Sequence, residues 1–250
     1  MRQSSEQEDK TAMIRSAEPP AASAAVLNPD LSIRIDGSHP PAAATVAQLD
    51  ALCGRAEDLD PAGGVAVVWL TGAPDPSWTR GLEVALVNKW ERALRRLERL
   101  DLPTLAVATG DCGGTALEVL LATDYRIADS TLRLLLPADP SGIWPGMALY
   151  RMTNQIGVAG TRRAVMRGAG IPAATALELQ LVDEVVDDPQ AALPAAIGLI
   201  GGAVGTGSSG TAMRRQLILD APTTTFENAL GSHLAACDRV LRRVPAEALR

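Results

Sequence analysis

The segment Gly64 to Leu70, GVAVVWL, is apolar at every position and rich in valine. A strand with one wet face alternates polar and apolar residues, so an unbroken run of this length fits a strand covered on both faces by helices. Pro103 to Thr109 (PTLAVAT) repeats the signal. Leu31 to Ile35 instead alternates with period two and reads as a half-buried strand ending at Asp36-Gly37. Tyr125 to Ala128 and Leu132 to Leu136 predict two more strands.

Helical patterns lie between and after these strands. Ala42 to Ala56 carries Val46, Leu49, Leu52 and Cys53 on one face, and Asn88 to Leu100 is a basic amphipathic helix. Gly110-Asp111-Cys112-Gly113-Gly114 predicts a glycine-rich turn into a helix over Ala116 to Ala122. Further helices are expected at Met147 to Gln155, Gly160 to Met166, Pro172 to Leu179, Ala191 to Ile200, and Thr224 to Arg243. Strands alternating with helices, followed by helices alone, define an α/β domain with a helical C-terminal part. The expected organisation is a disordered leader at 1–28, an α/β core at 29–190 and a C-terminal helical region at 191–250. The leader mixes charge, Ser, Pro and Ala with no apolar period, too little to offset the entropy of ordering it.

Composition excludes several function classes. A net charge of -6 with no long basic stretch argues against nucleic-acid binding. Cys53, Cys112 and Cys237 are odd in number and widely spaced, which suggests neither a disulfide framework nor a zinc knuckle and fits a reducing cytoplasm. The opening MRQSSEQEDKTAMIRS lacks the apolar stretch of a secretory signal. The best apolar run, Ala191 to Val204, is short and interrupted by Pro194, so no membrane span is expected. Lysine occurs only at Lys10 and Lys89 against a large arginine excess, the usage of a GC-rich, actinomycete-like genome.

Three ordered segments carry the chemistry. Trp78-Thr79-Arg80-Gly81-Leu82-Glu83 follows the first buried strand, PTLAVATGDCGGTALEVLLATDYRIAD joins a strand through glycines to a helix, and Gly142-Ile143-Trp144-Pro145-Gly146-Met147-Ala148 leads into another helix. Free N–H groups at a helix start, approached through glycines, favour developing negative charge. Together with GAGIPAATALELQLVDEVVDD, these segments resemble the crotonase (enoyl-CoA hydratase/isomerase) superfamily over roughly Leu31 to Asp188.

The resemblance implies a crotonase fold whose oxyanion hole holds an acyl-CoA thioester oxygen between Leu82 N–H and Thr115 N–H. Gly81, Gly114, Trp78, Trp144 and Arg80 are then the expected substrate-binding residues, and Thr115, where the family usually has glycine, is expected to narrow the site. Family hydratases use two glutamates. The first falls on Glu118, the second on Ala138, which has no acid–base group; Asp139 is the neighbouring carboxylate, but one residue along an extended segment normally points the other way. The wording of TGDCGGTALEVLLATDYRIAD and WPGMALYRM is similar to the DpgB-type accessory enzymes of 3,5-dihydroxyphenylglycine biosynthesis. That likeness implies a dehydratase working with a type III polyketide synthase, with no metal or redox cofactor, as a homotrimer or hexamer assembled through the terminal helix. The alternative is a crotonase-fold partner subunit that stimulates a synthase or another crotonase-like protein.

Ordinary readings stand beside these. Glu118 alone would read as a solvated helix residue, Asp111 as a turn former and Cys112 as a small packed residue with no histidine partner nearby in sequence. Trp69 and Trp90 read as core or interface. His39 and His233 lie far from the three segments in sequence. Arg92, Arg95, Arg96 and Arg99 are candidates for coenzyme A phosphates, with a solvated helix face as the plainer fate.

Overall fold

A computed structural model of the protein describes residues 27–59, 64–139, 142–166, 168, 170–202 and 209–242. Most of the expected leader lies outside these residues. Its last two members are described: Leu27 packs on the core, and the Asn28 side chain accepts from Asp30 N–H at 3.0 Å, capping the short turn Pro29–Leu31.

The strands in chain order are β1 (Ser32–Asp36), β2 (Ala66–Gly72), β3 (Thr104–Gly113), β4 (Tyr125–Ala128), β5 (Arg133–Leu135), β6 (Ala138–Asp139), β7 (Gly142–Ile143), β8 (Ile171–Pro172) and β9 (Glu184–Val185). The α-helices are α1 (Ala43–Glu57), α2 (Val84–Leu97), α3 (Gly114–Leu121), α4 (Met147–Met166), α5 (Ala173–Glu178), α6 (Pro189–Gly202), α7 (Ser209–Asp220) and α8 (Phe226–Leu241). The main sheet runs β1-β2-β3-β4-β9 with every neighbour parallel. β5 pairs with the far end of β3, and β8 runs antiparallel to β5. β6 and β7 form a separate antiparallel pair.

The apolar run of β2 is explained by two cores. Ala66, Val68 and Leu70 join Leu49 and Leu52 of α1, Trp90 and Leu94 of α2, and Leu117 of α3. Val65 and Val67, pointing the opposite way, join Leu105, Val107 and Ile127, roofed by Leu193, Ala196 and Ile197 of α6. Each fully buried leucine of this kind contributes about 1.5–3 kcal/mol. The helix α6 therefore belongs to the core layers, although the sequence places it in the C-terminal region.

Two other expectations change. Gly110 to Gly113 is not a turn: the strand continues, with Asp111, Cys112 and Gly113 in register with Arg133, Leu134 and Leu135. Glycine and aspartate favour turns locally, but pairing with β5 supplies a ladder that outweighs that preference. The basic helix starts at Val84, not Asn88, and the helix α7 was not foreseen. Arg215 pins α7 to the core: Nε and Nη2 each lie 2.5 Å from an Asp124 carboxylate oxygen, Nη2 donates to Leu102 O at 3.1 Å, and Nη1 donates to Leu100 O. The two helices expected over Met147 to Met166 are present, joined at Gly157 with φ 73.

Among the described residues no helix is long and apolar enough to cross a membrane.

Candidate active site

The site forms where β1, β2 and β3 end and α3 begins, the edge at which open parallel sheets usually bind ligands. Gly113 caps α3 and Gly114 opens it at φ 50, a conformation that L side chains rarely adopt. A Cβ on Gly114 would also lie 2.7 Å from Trp78 Nε1 and 2.8 Å from Gly37 O, so glycine is required twice over. Trp78 is buried there and donates from Nε1 to Gly37 O at 3.2 Å. Its ring meets Trp144 edge-on, with centroids 6.3 Å apart.

Thr115 stands in the first turn of α3, where the backbone N–H has no intrahelical acceptor. Its buried side chain faces the loop after β1. The hydroxyl donates to the carbonyls of Asp36 at 3.4 Å and His39 at 3.3 Å, tying α3 to the loop after β1. His39, remote from this segment in sequence, is thus beside it in the fold.

Glu118 lies one turn further along α3 and is 4% exposed, so the solvated reading fails. Trp90 Nε1 of α2 donates to its Oε2 at 2.6 Å. The other oxygen, Oε1, faces the turn before α4: a Cβ on Gly146 would lie 3.0 Å from it and 2.7 Å from the Trp144 indole. Burial pushes the Glu118 carboxyl up to about 7, with the negative Glu91 adding to the rise; the Trp90 hydrogen bond and the positive Arg151 oppose it. Arg151, itself buried, pairs with Glu91 at 2.9 Å and Glu98 at 2.7 Å. Burial also raises the Glu91 carboxyl, against the pull of Arg151.

The fold therefore brings Trp78, Gly114, Thr115, Glu118 and Trp144 into one chain of contacts. The turn over Trp78 to Gly81 is different. Arg80 and Gly81 are exposed, Leu82 is half-buried, and Leu82 N–H donates to Thr79 O at 3.2 Å, closing the turn on itself. Ala138 is exposed in β6, in register with Ile143. Asp139 occupies the next position, and its side chain lies outside the described residues.

Asp111 pairs with Arg133 on the surface at 2.7 Å, and burial lifts the Cys112 thiol to about 12, which suits a packed residue better than a nucleophile. Arg95 pairs with Glu98, and Arg96 with Glu57 and Asp50. Sequence reasoning treated Trp90 as packing alone; its indole is the sole side-chain donor to Glu118 among the described residues. The only sequence signal was a tryptophan on the apolar face of an otherwise charged helix.

Residues 81–200 match the family model described as enoyl-CoA hydratase/isomerase. An Amycolatopsis orientalis protein described as an enoyl-CoA-hydratase is 52% identical over 217 residues, covering 87% of this chain and 98% of that protein. Solved structures share the fold at lower identity. An enoyl-CoA hydratase from Shewanella pealeana has a TM-score of 0.69 and 20% identity, covering 86% of this chain and 82% of that one. An enoyl-CoA hydratase/isomerase from Marinobacter aquaeolei has a TM-score of 0.70 and 16% identity, covering 86% of this chain and 90% of that one. The α/β architecture is the crotonase fold. The chain belongs to the enoyl-CoA hydratase/isomerase family, and it is a lyase-type enzyme of that family.

Proposed function

We propose that the protein is an acyl-CoA thioester dehydratase/isomerase that works with one carboxylate. The observation that carries this reading is Glu118: a buried carboxyl lifted to about 7, with one oxygen held by Trp90 and the other toward the Trp144 turn. A group titrating near neutrality can both take and return a proton at working pH. The thioester oxygen sits between Thr115 N–H and Leu82 N–H, and Leu82 exchanges its bond to Thr79 O for the substrate oxygen as charge develops. Gly81 and Gly114 let the backbone approach, Trp78 and Trp144 wall the acyl group, and Arg80 is available to a coenzyme A phosphate.

With alanine at 138, hydration of an unactivated enoyl thioester lacks its second proton-handling group, whereas loss of water that yields an aromatic ring needs less assistance. This fits dehydration and aromatisation of a cyclised polyketide made by a type III synthase, giving 3,5-dihydroxyphenylacetyl-CoA for nonproteinogenic amino-acid biosynthesis of the glycopeptide-antibiotic kind. Asp139 is the residue that would take over the second carboxylate's role if hydration proves fast. The exposed apolar residues of α8 support a homotrimer or hexamer.

The test is Glu118→Gln, assayed by mass spectrometry of the coenzyme A esters formed with a type III synthase. Product formation should fall by roughly 10²- to 10⁴-fold, the usual contribution of a general acid or base. Undiminished stimulation by this variant would instead favour the partner-subunit reading, which the alanine at 138 supports. Wild-type protein should hydrate crotonyl-CoA only slowly in the same experiment.

A further inference from the structure

We infer that Trp90 is a positioning residue: its indole N–H fixes Glu118 Oε2 and leaves Oε1, beneath the Trp144–Gly146 turn, as the oxygen that takes the substrate proton. The inference rests on the reading of Glu118 as the acid–base group and deepens it.

The geometry behind it is asymmetric. Trp90 Nε1 reaches Oε2 at 2.6 Å, a short charge-assisted bond, while Oε1 accepts from no side chain among the described residues and stands 3.0 Å from where a Gly146 Cβ would be. Trp90 comes from α2 and Oε1 faces the turn before α4, so elements other than α3 bound the carboxyl on two sides. Trp90 is wholly buried and cannot swing away without opening the core. Two charged groups face Glu118: Glu91 from α2, and Arg151 from α4, which is held by Glu91 and Glu98. No other residue of α3 is charged. Trp90 and Glu91 are sequence neighbours with opposite effects: the indole stabilises the carboxylate, and the Glu91 charge opposes it.

The chemistry assigned to Oε1 is a simple transfer. A Cα–H bond of the thioester breaks, its proton moves to Oε1, and its electron pair passes into an enolate whose charge lies on the thioester oxygen; return of a proton to carbon reverses both changes.

Exchange of the α-hydrogens of phenylacetyl-CoA into D₂O, followed by mass spectrometry, reads this step without a second carboxylate. In the wild type, exchange rises with pH to a plateau as Glu118 ionises. Trp90→Phe removes the donor to the carboxylate, so that limb should move to higher pH by about one unit, the size of a charge-assisted hydrogen bond. At pH 6 kcat should fall about tenfold with KM nearly unchanged. Glu91→Gln should move the limb the opposite way.

A spectroscopic arm leaves Trp90 in place. In ¹⁵N-indole-labelled protein, one of the four tryptophan N–H signals should titrate with a midpoint near 7 in the wild type and become flat in Glu118→Gln. An unmoved limb in folded Trp90→Phe, or an indole spectrum that never senses Glu118, overturns the role of Trp90 alone. Absence of exchange by the wild type, or exchange undiminished in Glu118→Gln, overturns the reading of Glu118 and this inference with it.

Discussion

Helices α3 and α8 are built to opposite rules. Every residue of α3, GTALEVLL, is buried, including the one carboxylate. In α8, by contrast, Phe226, Leu230, Leu234 and Leu241 are 75%, 41%, 59% and 71% exposed, and Ala236 is the one buried residue among those described. A helix buried all round is satisfied by its own core, whereas an amphipathic helix with its apolar stripe in water is satisfied by another surface. The first arrangement sets the chemistry of a single carboxyl, because burial raises it and few groups, Trp90, Glu91 and Arg151, act on it. The second leaves an apolar stripe for the proposed assembly to cover.

The largest effect should come from placing charge on the exposed stripe. Phe226→Asp combined with Leu234→Asp should convert the proposed trimer or hexamer to monomer in sedimentation, with Glu118 and its contacts untouched. A wild-type protein that already sediments as a monomer at micromolar concentration would break the comparison at its second limb. Residues on one closed symmetric interface act together, so the double change should do more than either single one.

The second effect concerns the cost of burying Glu118. Its carboxyl is raised from 4.5 to about 7 on folding, so the folded chain holds that proton more tightly than the unfolded chain. The associated stability is fully present below about 4.5 and is lost as pH rises through about 7, a swing of about 3 kcal/mol. Glutamine keeps an acceptor for Trp90 and carries no charge. Denaturation of Glu118→Gln should therefore show near parity with the wild type at pH 5 and a more stable variant at pH 8. An identical difference at both pH values would mean that Glu118 is not buried with the raised value.

The same contrast explains what could be read in the sequence. β2 and the first part of β3 were legible because two covered faces leave an unbroken apolar run, and the expected limits Tyr125–Ala128 match β4 although Arg126 interrupts it. Gly110 to Gly113 was misread because its partner, β5, is contributed from some twenty residues later and leaves no local trace. The helix α7 was missed since its stripe is broken by Arg214-Arg215-Gln216, and the use of Arg215 as a clamp on Asp124 appears only in three dimensions. Glu118, Thr115 and Gly114 stood out through the resemblance to the family, with Glu118 also marked by its distance from the glycine-rich segment and its apolar neighbours. Trp90 did not, because the contact that matters spans 28 positions between two helices.

The smallest effect tests where the core begins. The sequence assigns residues to 28 to the leader, yet Leu27 packs against the face roofed by α6 and Asn28 caps the turn that carries the wholly buried Leu31. Deletion of residues 1–26 should leave the melting temperature unchanged within error. Extending the deletion to 28 removes an apolar contact and a cap together, and Asn28→Ala removes the cap alone. A lost cap typically costs about 1 kcal/mol, so the point variant should lower stability by that amount and the longer deletion by more. Equal melting temperatures for the two deletions would return Leu27 and Asn28 to the leader, and a large drop on removing residues 1–26 would mean that the segment contributes to the fold on which both helices depend.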